Sequence, residues 1–332
     1  MNRLLTIAPV LSALTLTLLA APPAHAQDPA AVAVTALRTS PRAPDGARIT
    51  KAERVDARTV DLTIASPALG RDGHARVLLP PSYRPRHRHP VLYLLHGCCD
   101  AIPGWTAWTA NTDVEALSAR SRAMVVMPEA GPDGMYTDWY NGGRYGPPAW
   151  ETFHLAELRA LVERGLGAGP RRAVAGLSMG GLGALAYAAR HPGMFRASAS
   201  FSGLADTVGF ADGLMDLVAA YGDDPLGPFG DPVEQAAVWR AHNPLDLVPR
   251  LRGVRLFVAS GDGRPGPLDA PGTPQDALEA SLGQANAAFV AKARRHHLDL
   301  TADLYGPGTH TWPYWERELH RAFPLLMRAI SG

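Results

Sequence analysis

The chain has 332 residues, of which 46% are hydrophobic, so it is long enough to bury the core of one large domain or two small ones. Lysine and arginine number 32 against 31 aspartate and glutamate, which gives a formal net charge of +1. This balance excludes the basic excess typical of nucleic-acid-binding proteins and the acidic excess that would attract a cationic partner.

The first 26 residues have the composition of a secretory signal peptide. Arg3 precedes the apolar run 4–21, and Ala24-His25-Ala26 forms a small-x-small cleavage site. We therefore expect a secreted protein, extracellular or associated with the cell envelope, whose mature chain begins at Gln27. The alternative is a permanent membrane anchor, which the Ala-Pro-Pro break at 21–23 disfavours.

Residues 27–54 are expected to precede a single catalytic domain, 55–332. The stretch is rich in Ala, Pro, Arg and Thr up to about residue 50 and has no apolar period, which predicts a flexible segment. Alternation of polar and apolar residues over 59–64 and 75–79 then predicts antiparallel edge strands.

From residue 91 onward, continuously apolar runs alternate with helical stretches. Such runs are typical of strands buried on both faces, so a mostly parallel central sheet flanked by helices on both faces is expected. Residues 203–250 interrupt the alternation with Gly, Asp and Pro and are interpreted as a loop-rich cap over the site. The predicted strands are 91–95, 123–127, 172–175, 197–201, 254–258 and 298–304, and the predicted helices are 111–121, 150–164, 181–190, 273–295 and 313–330.

The pentapeptide Gly176-Leu177-Ser178-Met179-Gly180 lies between a predicted strand and a predicted helix. Strand, sharp turn and helix are the context of a nucleophile elbow, in which the serine hydroxyl is exposed above the sheet. The glycines leave room for the turn, and the helix N-terminus points N–H groups at the reacting centre. We therefore predict that Ser178 is a catalytic nucleophile.

A serine hydroxyl needs a base to take its proton and a third group to orient that base. Among the histidines late in the chain, His310 lies in a loop between the last strand and the last helix, whereas the others end a helix or lie within one. Position therefore favours His310 as the base. Asp262, directly after the strand 254–258, and Glu279, in the next helix, are the candidate acids, and position alone favours Asp262.

An oxyanion hole requires two backbone donors. The first is the N–H of Met179, and the second is expected from the loop after the strand 91–95, where the Cys98 N–H is the candidate. His96 in this loop is expected to shape it rather than to act as a base. The adjacent Cys98 and Cys99 can form a vicinal disulfide or remain two buried free thiols, and free thiols are the simpler interpretation.

Further segments match one family pattern: Leu94-Leu95-x-Gly97, Gly104-Trp105, Asp138-Trp139-Tyr140, Trp150-Glu151-Thr152-Phe153, His191-Pro192, Asn243-Pro244 and Gly308-Thr309-His310-x-Trp312-Pro313-Tyr314-Trp315. With the serine motif, they resemble the secreted mycolyltransferase antigens of mycobacteria and corynebacteria, which belong to the esterase D group of α/β-hydrolases. The resemblance covers about residues 58–330. It implies the α/β-hydrolase fold.

The resemblance also implies a Ser, Glu, His triad. In that family the glutamate lies in a Leu-Glu helix segment, with an Asn and a Phe seven and ten residues further on. This pattern fits Glu279, with Asn286 and Phe289 following it. Glu279 is therefore favoured as the acid, and Asp262 is the fallback.

The chain departs from this family in the loop that carries His96. The mycolyltransferases have Asp at that position and Arg at or near Cys99, and the pair helps to bind trehalose. The resemblance therefore implies the acyl-transfer machinery without the sugar specificity. Aromatic residues can line a substrate site or simply pack in the core, and the candidate substrate-binding residues are His96, Trp105, Trp139 and Trp312.

The predicted activity is that of a serine esterase, which hydrolyses ester or acyl-lipid small molecules through an acyl-enzyme. One alternative is a mycolyltransferase-like acyltransferase that moves the acyl group to trehalose or another cell-envelope alcohol, with a cell-envelope glycolipid as its partner. Another is a non-catalytic surface-binding protein on a hydrolase scaffold. No nucleic-acid partner is expected, because the charge is balanced. The mechanism calls for no metal or organic cofactor, and the histidines show no H-E-x-x-H or Cys/His ligand spacing.

Overall fold

The computed structural model describes residues 28–39, 41–99 and 102–331, and the predicted signal peptide lies outside them. The strands are β1 Arg48–Arg54, β2 Thr59–Ser66, β3 Arg71–Leu78, β4 His89–Leu95, β5 Met124–Pro128, β6 Ala168–Leu177, β7 Ala197–Phe201, β8 Arg255–Gly261 and β9 Leu300–Gly306. The helices are α1 Pro29–Leu37, α2 Gly104–Asn111, α3 Val114–Ser118, α4 Trp150–Thr152, α5 Arg159–Leu166, α6 Met179–Arg190, α7 Ala211–Ala220, α8 Ala236–His242, α9 Pro244–Leu247, α10 Ala277–Arg295 and α11 Trp312–Ser331.

These strands form one sheet in the order β1-β2-β3-β5-β4-β6-β7-β8-β9. The pairs from β1 to β5 are antiparallel, and the six strands from β5 to β9 in that order are parallel. The predicted mostly parallel sheet and its antiparallel edge are therefore confirmed. Since parallel strands end at the same edge, the loops after β4, β6, β7, β8 and β9 meet there.

Helices cover both faces of the sheet. Along β4, Val91 and Tyr93 pack into the core beneath α5 and α6, whereas Leu92 and Leu94 pack into the core beneath α2 and α11. This two-sided burial explains why the strand is apolar at every position from 91 to 95.

The N-terminal segment is ordered where it is described, so the prediction of a flexible segment over 27–54 is wrong. Asp28 caps α1, in which Ala30, Ala33 and Leu37 are buried, and β1 extends the edge of the sheet. These three residues recur at helical spacing and form one apolar face, which the surrounding Pro and Arg obscure in the sequence.

Two predicted helices have different bounds. The stretch 111–121 contains only the short α3, because Thr112 is extended and interrupts the chain between α2 and α3. The helix predicted from Thr273 begins at Ala277 instead, because Asp276 caps it by accepting the N–H of Glu279. In the helix predicted over 150–164, the middle turn Phe153–Leu158 is π-helical and joins α4 to α5.

The segment 203–250, predicted as a loop-rich cap, contains α7, α8 and α9. Its backbone joins the loop after β5, where the N–H of Tyr140 and Asn141 donate to the carbonyls of Pro228 and Gly227.

Among the described residues, no helix has the length and apolar character needed to cross a membrane.

Candidate active site

Ser178 occupies the turn between β6 and α6 with backbone angles φ 51° and ψ −120°. This is a strained conformation for a residue with a side chain. A Cβ atom on Gly176 would lie 2.3 Å from the carbonyl oxygen of Gly180, and one on Gly180 would lie 2.5 Å from that of His96. Both glycines of the motif are therefore required by the close approach of neighbouring backbone.

Glu279 and His310 are brought together from α10 and from the loop between β9 and α11. His310 Nδ1 lies 2.7 Å from Glu279 Oε2. The Glu279 side chain is completely buried, whereas that of His310 is 12% exposed. A buried carboxylate behind a partly exposed imidazole is the arrangement in which an acid orients a base.

The second carboxylate oxygen of Glu279 is held by three donors. Oε1 accepts hydrogen bonds from Ser202 Oγ at 2.8 Å, Ser260 Oγ at 3.0 Å and the Gly261 N–H at 2.6 Å. Ser202 follows β7, and the other two residues end β8. The ends of β7 and β8 therefore supply the hydrogen bonds that the buried Glu279 carboxylate needs, since burying it without partners would be costly.

Asp276 accepts hydrogen bonds from the backbones of both Glu279 and His310. Its Oδ1 accepts the backbone N–H of Glu279 at 2.9 Å, and its Oδ2 accepts the backbone N–H of His310 at 2.9 Å. Neither this residue nor Ser202 is among the site residues predicted from the sequence. The spacing Asp-x-x-Glu at 276–279 is a capping-box signal that could have identified Asp276.

Asp262, the fallback acid, does not contact His310. Its carboxylate pairs with Arg264 two residues further along, at 2.9 Å, and this hydrogen bond lowers its pKa. Tight local pairing in the turn after β8 thus directs Asp262 away from the histidine.

Ser178 and His310 lie at the same edge of the sheet. The Ser178 N–H donates to the Phe201 carbonyl, and the Ser178 carbonyl accepts the Leu204 N–H. Ser202, which hydrogen-bonds to Glu279, lies between these two partners in the sequence. Within the described residues, however, the Ser178 hydroxyl makes no hydrogen bond, so Ser178 and His310 are not hydrogen-bonded to each other in this structure. Such catalytic contacts often tighten only when substrate binds.

His96 is held by the protein through both ring nitrogens. Nε2 accepts the Ala130 N–H at 2.8 Å, which leaves the proton on Nδ1, and Nδ1 donates to the Gly97 carbonyl at 2.6 Å. Burial lowers the pKa of His96 to about 4. The ring is therefore neutral and shapes the loop, and neither nitrogen is available to bind substrate as we predicted for this residue.

Cys98 and Cys99 are joined by a disulfide, so the interpretation of two free thiols is wrong. Cys99 has a φ of 74°, and the bridge closes a ring around the peptide between the two residues. A Cβ atom on Gly97 would lie 3.3 Å from Ser178 Cβ, which places this loop against Ser178. The Cys98 N–H donates to no acceptor among the described residues.

A cleft of about 320 Å³ opens beside this loop. Trp105 and Tyr221 line it, and so do Arg71 and Glu129, whose side chains form an ion pair at 2.8 Å. Burial raises the pKa of Glu129. The cleft therefore presents an aromatic surface and a charged pair beside the loop that carries His96, Gly97 and Cys99.

The remaining candidate substrate-binding residues differ in their positions. Trp139 is buried and donates to the Gly134 carbonyl, so it packs beneath the cap rather than in the cleft. Trp312 packs edge-on against Trp108 and Trp315 at the start of α11. Only Trp105 of the three predicted tryptophans lines the cleft.

One group of described residues has side chains close enough to hold a metal ion, namely Asp113, Glu316 and His320. The cluster lies on the outer surface of α11, where Asp113 accepts from His320 and donates its backbone N–H to Glu316. These mutual hydrogen bonds account for the cluster without an ion.

Residues 66–326 match the model of the Esterase family, described as "Putative esterase". The diacylglycerol acyltransferase/mycolyltransferase Ag85A of Mycobacterium ulcerans is 34% identical over 261 residues, which cover 73% of this chain and 74% of that protein. The crystal structure of Mycobacterium tuberculosis MPT51 (FbpC1) aligns with a TM-score of 0.66 and 26% identity, covering 85% of this chain and 99% of that one. An S-formylglutathione hydrolase from Agrobacterium tumefaciens has a TM-score of 0.65 with the same coverage, and its 17% identity indicates likeness of fold alone.

Proposed function

The chain belongs to the esterase family and is an acyl hydrolase or acyltransferase related to the Ag85A proteins, and we propose that it works through a triad of Ser178, His310 and Glu279. The observation that carries the proposal is the 2.7 Å contact between His310 Nδ1 and the buried Glu279 carboxylate. Because that carboxylate accepts a hydrogen bond from the Nδ1–H, the proton stays on Nδ1 and the lone pair of Nε2 is free to take the proton of a serine hydroxyl.

The proposed reaction has two steps. Ser178 Oγ attacks the ester carbonyl carbon as its proton moves to His310 Nε2, and the N–H groups of Met179 and Cys98 stabilise the oxyanion. The C–O ester bond then breaks, and His310 returns the proton to the departing alcohol. Water attacks the acyl-enzyme by the same route and releases the acid. As the first residue of α6, Met179 has no helical acceptor for its N–H, which supports the role given to it.

Hydrolysis of small esters is the favoured outcome. The Ag85-type sugar-binding pair is replaced here by His96 and Cys99, and His96 uses both ring nitrogens within the protein. Acyl transfer to a hydroxylated acceptor, such as trehalose or a cell-envelope glycolipid, is the second candidate. The charged pair Arg71–Glu129 beside Trp105 in the cleft favours it, since such groups can hydrogen-bond hydroxyls.

Secretion is part of the proposal and depends on residues 1–26, whose pattern is that of a cleaved signal peptide. Amino-terminal sequencing of the protein recovered from culture medium should begin at Gln27. Recovery of the uncleaved chain in the membrane fraction would instead support the anchor.

The catalytic proposal is tested with a fluorophosphonate probe, which reacts with an activated serine. We expect one label on Ser178 and none on the folded Ser178→Ala variant. The absence of labelling in the folded native protein would overturn the triad. A binding protein on a retired hydrolase scaffold would also remain unlabelled, so the same experiment separates that alternative.

A series of p-nitrophenyl esters of rising chain length separates the two candidate activities. Each ester is turned over with and without trehalose or glycerol, and the acid and the transferred ester are quantified. Free acid as the main product under both conditions supports the esterase. A new ester that replaces the acid when an alcohol is present supports the acyltransferase.

A further inference from the structure

Arginine is concentrated at the edge of the sheet opposite Ser178. At the amino ends of β6, β7 and β8, the N–H of Arg196 donates to the Arg172 carbonyl at 2.8 Å, and the N–H of Arg255 donates to the Arg196 carbonyl at 3.0 Å. Arg88 directly precedes β4, and Arg122 lies two residues before β5 at the same edge. Four of the five neighbouring parallel strands therefore begin within two residues of an arginine, and β6 carries Arg172 next to Arg196.

The side chains of this edge are exposed and largely unneutralised. We call six of them the arginine face: Arg84, Arg86, Arg88, Arg120, Arg122 and Arg196. None of the six forms an ion pair with an acid in the described part of the chain. The carboxylates nearby are already used, because Glu163 pairs with Arg172 and Asp299 with Arg255.

Carboxylates are concentrated at the other edge. The segment that follows β7 carries the exposed Asp212, Asp216, Asp223, Asp224 and Glu234, and its Tyr221 lines the cleft beside the His96 loop. Because the whole chain has a formal charge of only +1, the molecule is not generally basic. Its charges are separated along the strand direction, with the positive end remote from the cleft.

The arginine face has the breadth of a surface that meets another surface. It extends from β5 to β7, three strand spacings or roughly 14 Å. A groove of about 470 Å³ lined by Arg120, Arg122, Phe323 and Met327 lies within it. Guanidinium groups bind phosphates bidentately, and an array spread over several loops suits many headgroups in a plane better than one polymer in a channel.

We propose that the arginine face docks the protein on the phosphate headgroups of an anionic lipid surface. The charge separation then directs the acidic cap and the cleft away from the lipid, so the site remains open to solvent. This docking depends on charge alone and not on the triad, and it holds whichever acyl chemistry the site performs.

The test uses the purified protein and sedimentation with lipid vesicles. We expect binding to phosphatidylcholine vesicles that contain phosphatidylglycerol, little binding to pure phosphatidylcholine, and release when the salt concentration is raised. The combined change Arg84→Gln, Arg86→Gln and Arg88→Gln should weaken partitioning on the order of 100-fold, at roughly fivefold for each charge. Hydrolysis of a soluble ester by this variant should be unchanged.

The matched control removes three exposed arginines near the opposite edge, by Arg48→Gln, Arg144→Gln and Arg264→Gln. It changes the net charge equally and should retain vesicle binding. Equal binding to both vesicle types, no binding at low salt, or an equal loss in the control would each overturn the proposal. Binding to a soluble polyanion such as heparin or DNA, with none to vesicles, would overturn it in favour of a polymer partner.

Discussion

Replacing Glu279 with Gln tests the proposed triad most directly, because it preserves the size of the side chain while removing its charge. In the native protein, three donors surround Oε1 and His310 Nδ1 contacts Oε2. Glutamine has a single side-chain oxygen. Those three donors will hold that oxygen at the Oε1 position, so the amide nitrogen will face His310.

An amide N–H directed at Nδ1 requires that nitrogen to accept a hydrogen bond. His310 is then held in the tautomer that carries its proton on Nε2, and this nitrogen can no longer take the proton of Ser178. The equivalent Asp→Asn change in a Ser-His-Asp protease lowers kcat about 10⁴-fold, or roughly 5 kcal/mol of transition-state stabilisation. We expect a loss of that size in Glu279→Gln with little change in KM.

The assay is steady-state turnover of p-nitrophenyl butyrate, accompanied by circular dichroism to establish that the variant is folded. Asp262→Asn is the matched control, since it makes the same chemical change in the fallback acid. The Asp262 carboxylate pairs with Arg264 rather than with His310. Its variant should therefore stay within about twofold of the native kcat, as expected of a surface substitution.

Retention of more than about a tenth of the native kcat by folded Glu279→Gln would refute the tautomer argument. A large loss in Asp262→Asn with a small one in Glu279→Gln would assign the orienting role to Asp262. Either result would mean that the contact between His310 and Glu279 is not the catalytic one.

Three further expectations concern the surroundings of the triad. Asp276→Ala removes the cap of α10 and the acceptor of the His310 backbone N–H. Urea unfolding should therefore show a loss of about 1 kcal/mol in unfolding free energy, and kcat should fall more than KM changes. A kcat equal to that of the native protein would contradict the positioning role. Reducing the Cys98–Cys99 disulfide should lower kcat and leave KM unchanged, because the bridge constrains the peptide beside the proposed oxyanion donor, and full activity after reduction verified by mass spectrometry would argue against this. Burial lowers the pKa of His96 to about 4 and that of His154 to about 3. Between pH 6.5 and 4 the unfolded chain therefore binds protons that the native state does not, and the free energy of unfolding decreases as the pH is lowered. The native protein should therefore lose more unfolding free energy across this interval than His154→Gln does, and parallel curves for the two proteins would refute the assignment.

The features that the sequence alone determined are those with a local pattern. The sharp turn between strand and helix could be recognised at Ser178 because its two glycines are required by backbone contact. Strand β4 could be recognised because two-sided burial makes it apolar throughout. The loop position of His310 follows from the order of the last strand and helix. The choice of Glu279 over Asp262 required the family pattern, since a position after a strand did not reveal the pairing of Asp262 with Arg264.

Only the tertiary structure decided how separate segments meet at the two edges of the sheet. The N–H of Ala130 occupies Nε2 of His96, and Asp276 accepts the backbone N–H of His310, and each of these contacts spans 34 residues of sequence. The sequence admitted both a disulfide and free thiols at Cys98 and Cys99, and it did not reveal the ordered helix α1 or the assembly of the arginine face from separate loops. The physical reason is that periodicity records which face of an element is buried, whereas these contacts depend on which strand ends the topology places side by side.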